Sequence, residues 1–190
     1  MVRTAMCLAG VVGVAYLGLV ILFLSLFTSE YSPITQVASD YGVGTYGPEM
    51  NSGFFLAGVG VLCMALVVVP SGRRDERVGG VLLALAGLAL VTNAFFQTDL
   101  EGAAATLHGT VHALAGVVFF IMAPVGLLLV NHGLGRRRFF FTLGAFAAVV
   151  AALALDGILG LNASGLAERV AILAIFSSLI LTSLAVLRES

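Results

Sequence analysis

Six stretches of about 20 apolar residues, broken by short polar or charged connections, decide what this 190-residue chain can fold into. Each is long enough to cross the hydrocarbon core of a bilayer as a helix and lacks the polar face that a soluble amphipathic helix carries. The runs fall near 5–28, 53–70, 78–97, 103–130, 139–160 and 168–187. Composition agrees: 60% of residues are hydrophobic, mean hydropathy is +1.11 and only 10% are charged, against about 25% in a soluble domain. The expectation is an all-α polytopic bundle of six transmembrane helices, forming a single transmembrane domain over 1–190. The first run follows Arg3 as a signal peptide would, but it is longer than a signal h-region and is read as a retained helix.

Charge orients the bundle. The short connections at 71–77 and 131–138 hold Arg73, Arg74, Arg77, Arg136, Arg137 and Arg138, and the chain ends hold Arg3 and Arg188. The alternate connections, 29–52, 98–102 and 161–167, hold no Arg. The positive-inside rule then places both termini and the Arg-rich loops in the cytoplasm. Eight Arg face three acids inside, whereas seven acids face Arg169 alone outside. Acids contribute little to orientation, so the outer acidity calls for a site or for a solvated rim. The Gly-rich segment 42–53, with Pro48, reads as an ordered or re-entrant loop.

Absences narrow the chemistry. Every basic residue is Arg, so a retinal or pyridoxal Schiff base and a P-loop lysine are excluded. Cys7 and Cys63 lie in apolar runs without a CxxC or CxxCH spacing, and are expected as free buried thiols. Exclusive Arg with heavy Ala, Gly, Val and Leu suggests a high-GC prokaryotic genome and hence a multi-pass protein of a prokaryotic cell membrane. Membrane lipids are the expected partners, with a lipid or small-molecule substrate, and no nucleic acid.

The residues able to do chemistry sort to the outer leaflet. His108 and His112 are four apart, on one helix face and about 6 Å apart along its axis. Gly109, Ala113 and Gly116 beside them are small enough for another helix to approach. Such a pair can hold one divalent ion, with Asp99 supplying an oxygen; a helix-to-helix hydrogen bond for each His is the alternative. Asn93, Gln97 and Asp99 form one polar stripe, and Asp156 should face the bundle rather than lipid. Glu168 suits the N-terminus of the last helix, whereas Arg169 opposes that dipole and should be held by Asp40, Asp99 or Asp156, or anchor an anion. Ser39, Asp40, Tyr41 and Gly42 read as a turn or as part of the site.

Ser39-Asp40-Tyr41-Gly42, Phe96-Gln97-Thr98-Asp99 leading to His108-Gly109-x-x-His112, and Gly165-x-x-Glu168-Arg169 together resemble the domain of unknown function 998 family of multi-pass prokaryotic membrane proteins. The likeness covers nearly the whole chain, with Tyr41 where Leu is expected, and implies no established activity. A weaker likeness is to the superfamily of alkaline ceramidases and adiponectin receptors, which sets a Ser, an Asp and an HxxxH around zinc on seven helices; this chain has six expected helices and two outward His.

Three functions are compatible with this pattern. The first is a zinc-dependent hydrolase of a lipid amide or ester working in a polar pocket open to the extracytoplasmic leaflet. His108, His112 and Asp99 or Asp40 would bind the metal, the other carboxylate or Glu168 would act as base, and Arg169 or Ser39 would stabilise the oxyanion. The second is a transporter or proton-coupled carrier, which needs polar groups in the inner halves of the helices, where almost none are seen. The third is a non-catalytic lipid-binding or assembly protein.

Overall fold

The computed structural model describes residues 1–71, 73–159 and 162–188, without the side chains of 71, 152, 153 and 155–159. Its described residues form six long helices: α1 (Val2–Phe27), α2 (Gly47–Val68), α3 (Arg74–Phe95), α4 (Leu107–Leu134), α5 (Arg136–Leu159) and α6 (Ser164–Arg188). Five of them, all but α5, are long and apolar enough to cross a membrane. The chain is therefore a polytopic membrane helix bundle.

Two expected boundaries move for local reasons. Half of the segment read as a loop at 42–53 is helix, because α2 begins at Gly47 with Pro48 in its first turn, where a missing N–H costs nothing. Residues 42–46 stay outside it, with Gly42 ending a 3-10 turn over Ala38–Gly42. Helix α4 begins at Leu107 rather than 103, since Thr106 caps it by accepting the Gly109 N–H at 3.0 Å.

Each helix packs on its sequence neighbour, and α6 returns to α1, closing a ring. At one end Arg73 donates to the Gly133 carbonyl at 3.0 Å and lies 3.4 Å from Glu76. Arg3, Glu76, Leu134 and Val186 line one small recess there, so the start of α1 and the end of α6 lie beside the Arg-rich connections. At the other end Ser164 donates to the Thr35 carbonyl and the Leu166 N–H to Ile34. Helix α5 must traverse the bundle between these ends, and its 24 residues reach about 36 Å. That spans a hydrocarbon core of about 30 Å.

Close helix approach rests on glycine. A Cβ on Gly58 of α2 would lie 2.7 Å from the Gly87 carbonyl oxygen of α3, and one on Gly79 of α3 equally close to Gly126 of α4. Lipid tails are as apolar as leucine, so this close backbone packing rather than hydrophobic exclusion joins the helices. Cys7 and Cys63 are free thiols, Cys7 buried and Cys63 half-buried.

Candidate functional site

The long connection before α2 is stitched across the end of the bundle remote from the Arg loops. Buried Tyr41 donates to the Leu24 and Tyr31 carbonyls, both at 3.3 Å, and stacks edge-on against Tyr31. Asn51 and Gln97 both donate to the Gly42 carbonyl at 3.1 Å, tying the turn to α2 and to the chain after α3. Glu30 accepts the Thr45 N–H at 2.8 Å.

Beneath this cap lies a cavity of about 600 Å³ walled by all six helices, a size typical of small-ligand sites. Its walls are chiefly apolar, among them Leu17, Phe54, Phe119, Phe120, Phe146 and Phe176. The expected polar pocket is thus an apolar chamber with a few polar groups: Ser39, Asn93, Thr98, His112 and Glu168. Val117 and Ile121 of α4 and Val150 of α5 also line it, and each is at least half exposed. The chamber's wall along α4 and α5 is therefore an exposed one among the described residues. Gly116 sits on this wall, and among the described residues a Cβ there would meet nothing within 4 Å, so none of them makes the close helix approach expected at this glycine.

His112 is held in one tautomer. Its Nδ1 lies 2.7 Å from the Phe96 carbonyl oxygen; a carbonyl only accepts, so Nδ1 carries the proton and Nε2 keeps the lone pair. The ring rests edge-on against Phe54. Asn93 is buried, and its Oδ1 has no partner among the described residues. Glu168 accepts the Ala38 N–H, so it clamps the turn to α6 as well as lining the chamber. The polar rim thus presents an imidazole lone pair, an amide oxygen and a carboxylate, with Ser39 as its hydroxyl. It is rich in acceptors.

The remaining expected site residues, Asp40, Asp99, His108 and Arg169, are not among those lining the chamber. Asp99 accepts the Thr106 N–H at 2.8 Å and the Thr106 hydroxyl at 2.7 Å, fixing the residue that caps α4. These two bonds, helped by His108, hold its carboxyl below the usual carboxylate range. Its oxygens fill the place a Cβ would take on Gly109, which explains the glycine after His108. His108 itself stacks on Phe96, ring centres 5.1 Å apart. Among the described residues no three His, Cys, Asp or Glu side chains gather around one point. Asp99 feels the charge of His108 without an ion pair between them, while His112 is committed to Phe96.

Arg169 departs from the expected ion pair. Its Nε donates to Ser25 Oγ at 3.0 Å, its Nη1 to the carbonyls of Gln36 at 2.8 Å and Gly165 at 3.0 Å, and its guanidinium lies 5.9 Å from the Tyr41 ring centre. No carboxylate comes within 4.0 Å among the described residues. Asp40 is near enough to feel its charge, yet burial outweighs that pull and, with Glu101 adding to the rise, lifts the Asp40 carboxyl to about 6. Asp156 lies outside the residues whose side chains are described. Ser25 and Gln36, missed in the sequence, carry no signal there, since their role exists only once α6 meets the loop after α1.

The inner halves of the helices are more polar than expected. Below the chamber Phe146, Pro124, Leu127 and Ile175 close the bundle around a void of about 10 Å³ that reaches Thr142 and Ser178. There Asn131 donates to Thr142 at 3.0 Å and Thr182 at 2.8 Å, and all three are buried.

The site is thus an apolar chamber with an acceptor-rich rim inside a ring of long helices, in a multi-pass membrane protein. The family described as "Protein of unknown function (DUF998)" matches residues 9–185, and the chain belongs to it. No curated protein and no solved structure matches the chain.

Proposed function

We propose that this protein binds a membrane amphiphile, with its hydrocarbon chain in the chamber and its head group at Ser39, Asn93, His112 and Glu168. The observation that carries this reading is the exposed chamber wall at Val117, Ile121 and Val150, because a ligand dissolved in the bilayer would enter the chamber there without crossing water. The rim sets the head-group class. A lone pair on His112, the free Asn93 Oδ1 and the Glu168 carboxylate complement hydrogen-bond donors, as in an alcohol, amide or amine, and disfavour an anion.

The test uses detergent-purified protein and amphiphiles of one chain length: a long-chain alcohol, its N-acyl ethanolamide and the matching alkyl phosphate. The alcohol and the amide should raise the thermal midpoint by way of the chamber, whereas any rise with the phosphate should persist when the chamber is filled. Gly116→Leu puts a side chain into the open wall while improving helix propensity by about 1 kcal/mol. It should abolish ligand stabilisation without lowering the unliganded midpoint. Equal stabilisation of Gly116→Leu and parent would overturn the reading.

A second reading, hydrolysis of an amide or ester of such an amphiphile, is favoured by the His112 tautomer. Nε2 has the lone pair a general base needs, and Ser39 and Glu168 line the same chamber. It requires no cluster of three metal ligands. His112→Gln should then retain binding and lose turnover; loss of both, or turnover unchanged, removes His112 as the base. For orientation, the Arg-rich end is proposed to face the cytoplasm. Reporter fusions after Arg74 and Arg137 should read inside, and one after Gly47 outside.

A further inference from the structure

Three spaces follow one another through the bundle beside α5. The chamber ends at Phe146, which also walls the void of about 10 Å³ beneath it. Thr142 and Ser178 wall that void and, on its far side, a recess of about 270 Å³ between α4, α5 and α6. Besides three arginines at the helix ends, Asn131, Thr142, Ser178 and Thr182 supply the polar lining of this recess. Each space thus shares a wall residue with the next.

The two end spaces are matched. Asn93 Oδ1 in the chamber, and Asn131 Oδ1 and Ser178 Oγ in the recess, have no partner among the described residues, and all three side chains are more than nine-tenths buried. Such groups carry a desolvation cost unless a polar guest meets them. Phe141 of α5 and Leu181 of α6 line the recess and are nearly half exposed, so it has an exposed apolar wall as the chamber does. Nineteen residues of α4 separate His112 from Asn131, a rise of about 28 Å. That is close to the thickness of a hydrocarbon core, about 30 Å.

The constriction between them is a place that can widen. Pro124 walls it from inside α4 and lacks the N–H that would bond the Phe120 carbonyl, so the helix bends most readily there. On α5, two residues before Phe146, a Cβ on Gly144 would meet nothing within 4 Å among the described residues. No close backbone contact pins that turn.

We propose that the protein moves a hydroxyl-bearing lipid between the two leaflets. The head group passes along α5 from the chamber rim to Asn131 and Ser178, Phe146 is the gate, and the acyl chains stay in the bilayer alongside. The proposal rests on the chamber reading and narrows its head group. A hydroxyl donates to Asn131 Oδ1 and accepts from Ser178, whereas an ammonium only donates. Crossing bare hydrocarbon, such a head group gives up its hydrogen bonds to water and finds no others. Buried polar groups on both sides of Phe146 replace them. Movement runs down the lipid's own concentration difference between leaflets.

The experiment uses the full chain in liposomes carrying a monoglucosyl diacylglycerol labelled with nitrobenzoxadiazole on one acyl chain. Dithionite added outside bleaches label in the outer leaflet, and inner-leaflet label in protein-free liposomes survives. With the protein present the inner label should be bleached as well, while equally labelled phosphatidylglycerol should stay protected, because acceptors ring the chamber. Phe146→Ala should speed the movement. Ser178→Ala should slow it about fivefold, the worth of one neutral hydrogen bond, with the unliganded midpoint and the stabilisation by long-chain alcohol unchanged. A merely structural Ser178, lacking a partner, predicts an unchanged rate. Gly116→Leu should stop the movement. If long-chain alcohol stabilises the parent in detergent but the glucosyl lipid stays protected in parent liposomes, transport is overturned and the chamber reading stands. Equal movement of both lipids, or undiminished movement in Gly116→Leu, overturns it too. Absence of alcohol stabilisation is the separate failure of the chamber reading, and this proposal falls with it.

Discussion

The two sides of the helix ring are packed by different rules. From α1 to α4 the helices meet backbone to backbone: Gly58 faces Gly87 and Gly79 faces Gly126, each where a methyl group would collide with a carbonyl. Around α5 the same residue type does nothing of the kind, since among the described residues a Cβ on Gly144 or on Gly116 would meet no atom within 4 Å. Chamber and constriction both lie along α5. Tight glycine packing leaves no room for a ligand, and loose packing leaves room that something must fill. The first half of the chain is thus the frame, and the second half holds the openings.

The sharpest way to break this comparison is to place one residue on both sides. Gly58→Leu pushes a side chain into the α3 backbone, and overpacking costs about 1–3 kcal/mol and more where backbone must move; here it should lower the thermal midpoint severely or prevent folding. Gly144→Leu adds the same atoms to open space and should leave the midpoint unchanged or raised. Similar damage from both would mean that α5 is packed as closely as α2, and the division into frame and openings would fall.

The frame was readable because its signal is carried by long runs. Twenty apolar residues flanked by Arg need no tertiary knowledge to be recognised as a span, and all six helices fall within several residues of expectation. What failed were the places where one residue's role depends on a distant segment. Pro48 marked a turn by composition, yet it opens a helix, because only the position of Gly47 and Tyr46 decides whether its missing N–H matters. His112 was grouped with His108 by spacing, whereas the Phe96 carbonyl separates their duties. The inner polar network was invisible for another reason. Ser and Thr in a helix can satisfy themselves on the preceding turn, as Thr182 does on the Ser178 carbonyl at 2.7 Å. Asn131 cannot do this and was the residue to notice.

A smaller effect sharpens the picture at the capped end, where α6 docks on the loop after α1. Arg169→Leu removes bonds to Ser25 and to the Gln36 and Gly165 carbonyls. Hydrogen bonds to charged groups contribute about 1.5–3 kcal/mol net, so a loss of about 2 kcal/mol is expected in detergent melting. Arg169→Lys keeps the charge but not the planar fork and should fall between. If Lys restores full stability, charge rather than the carbonyl contacts anchors α6, and Asp40 regains the partner role assigned to it from the sequence.

The smallest effect concerns Asp40 itself, and it turns on sign. Burial raises its carboxyl to about 6 against the lowering pull of Arg169, and an unfolded Asp titrates near 3.9. Between those values the folded protein binds the proton and the unfolded chain does not. Stability then falls as pH rises from about 4 to 6, and the charged form at neutral pH is a burden on the fold. Each pKa unit corresponds to about 1.36 kcal/mol, which bounds the effect near 3 kcal/mol; with Arg169 and water responding, a change on the order of 1 kcal/mol is expected. Asp40→Asn should therefore be at least as stable as the parent at pH 7.5, and the two should converge below pH 5, where the parent is protonated too. Thermal melts across that range decide it. A variant less stable than the parent at pH 7.5 would mean that attraction to Arg169 exceeds the cost of burial, and that the capped end is held by charge as firmly as by its carbonyl contacts.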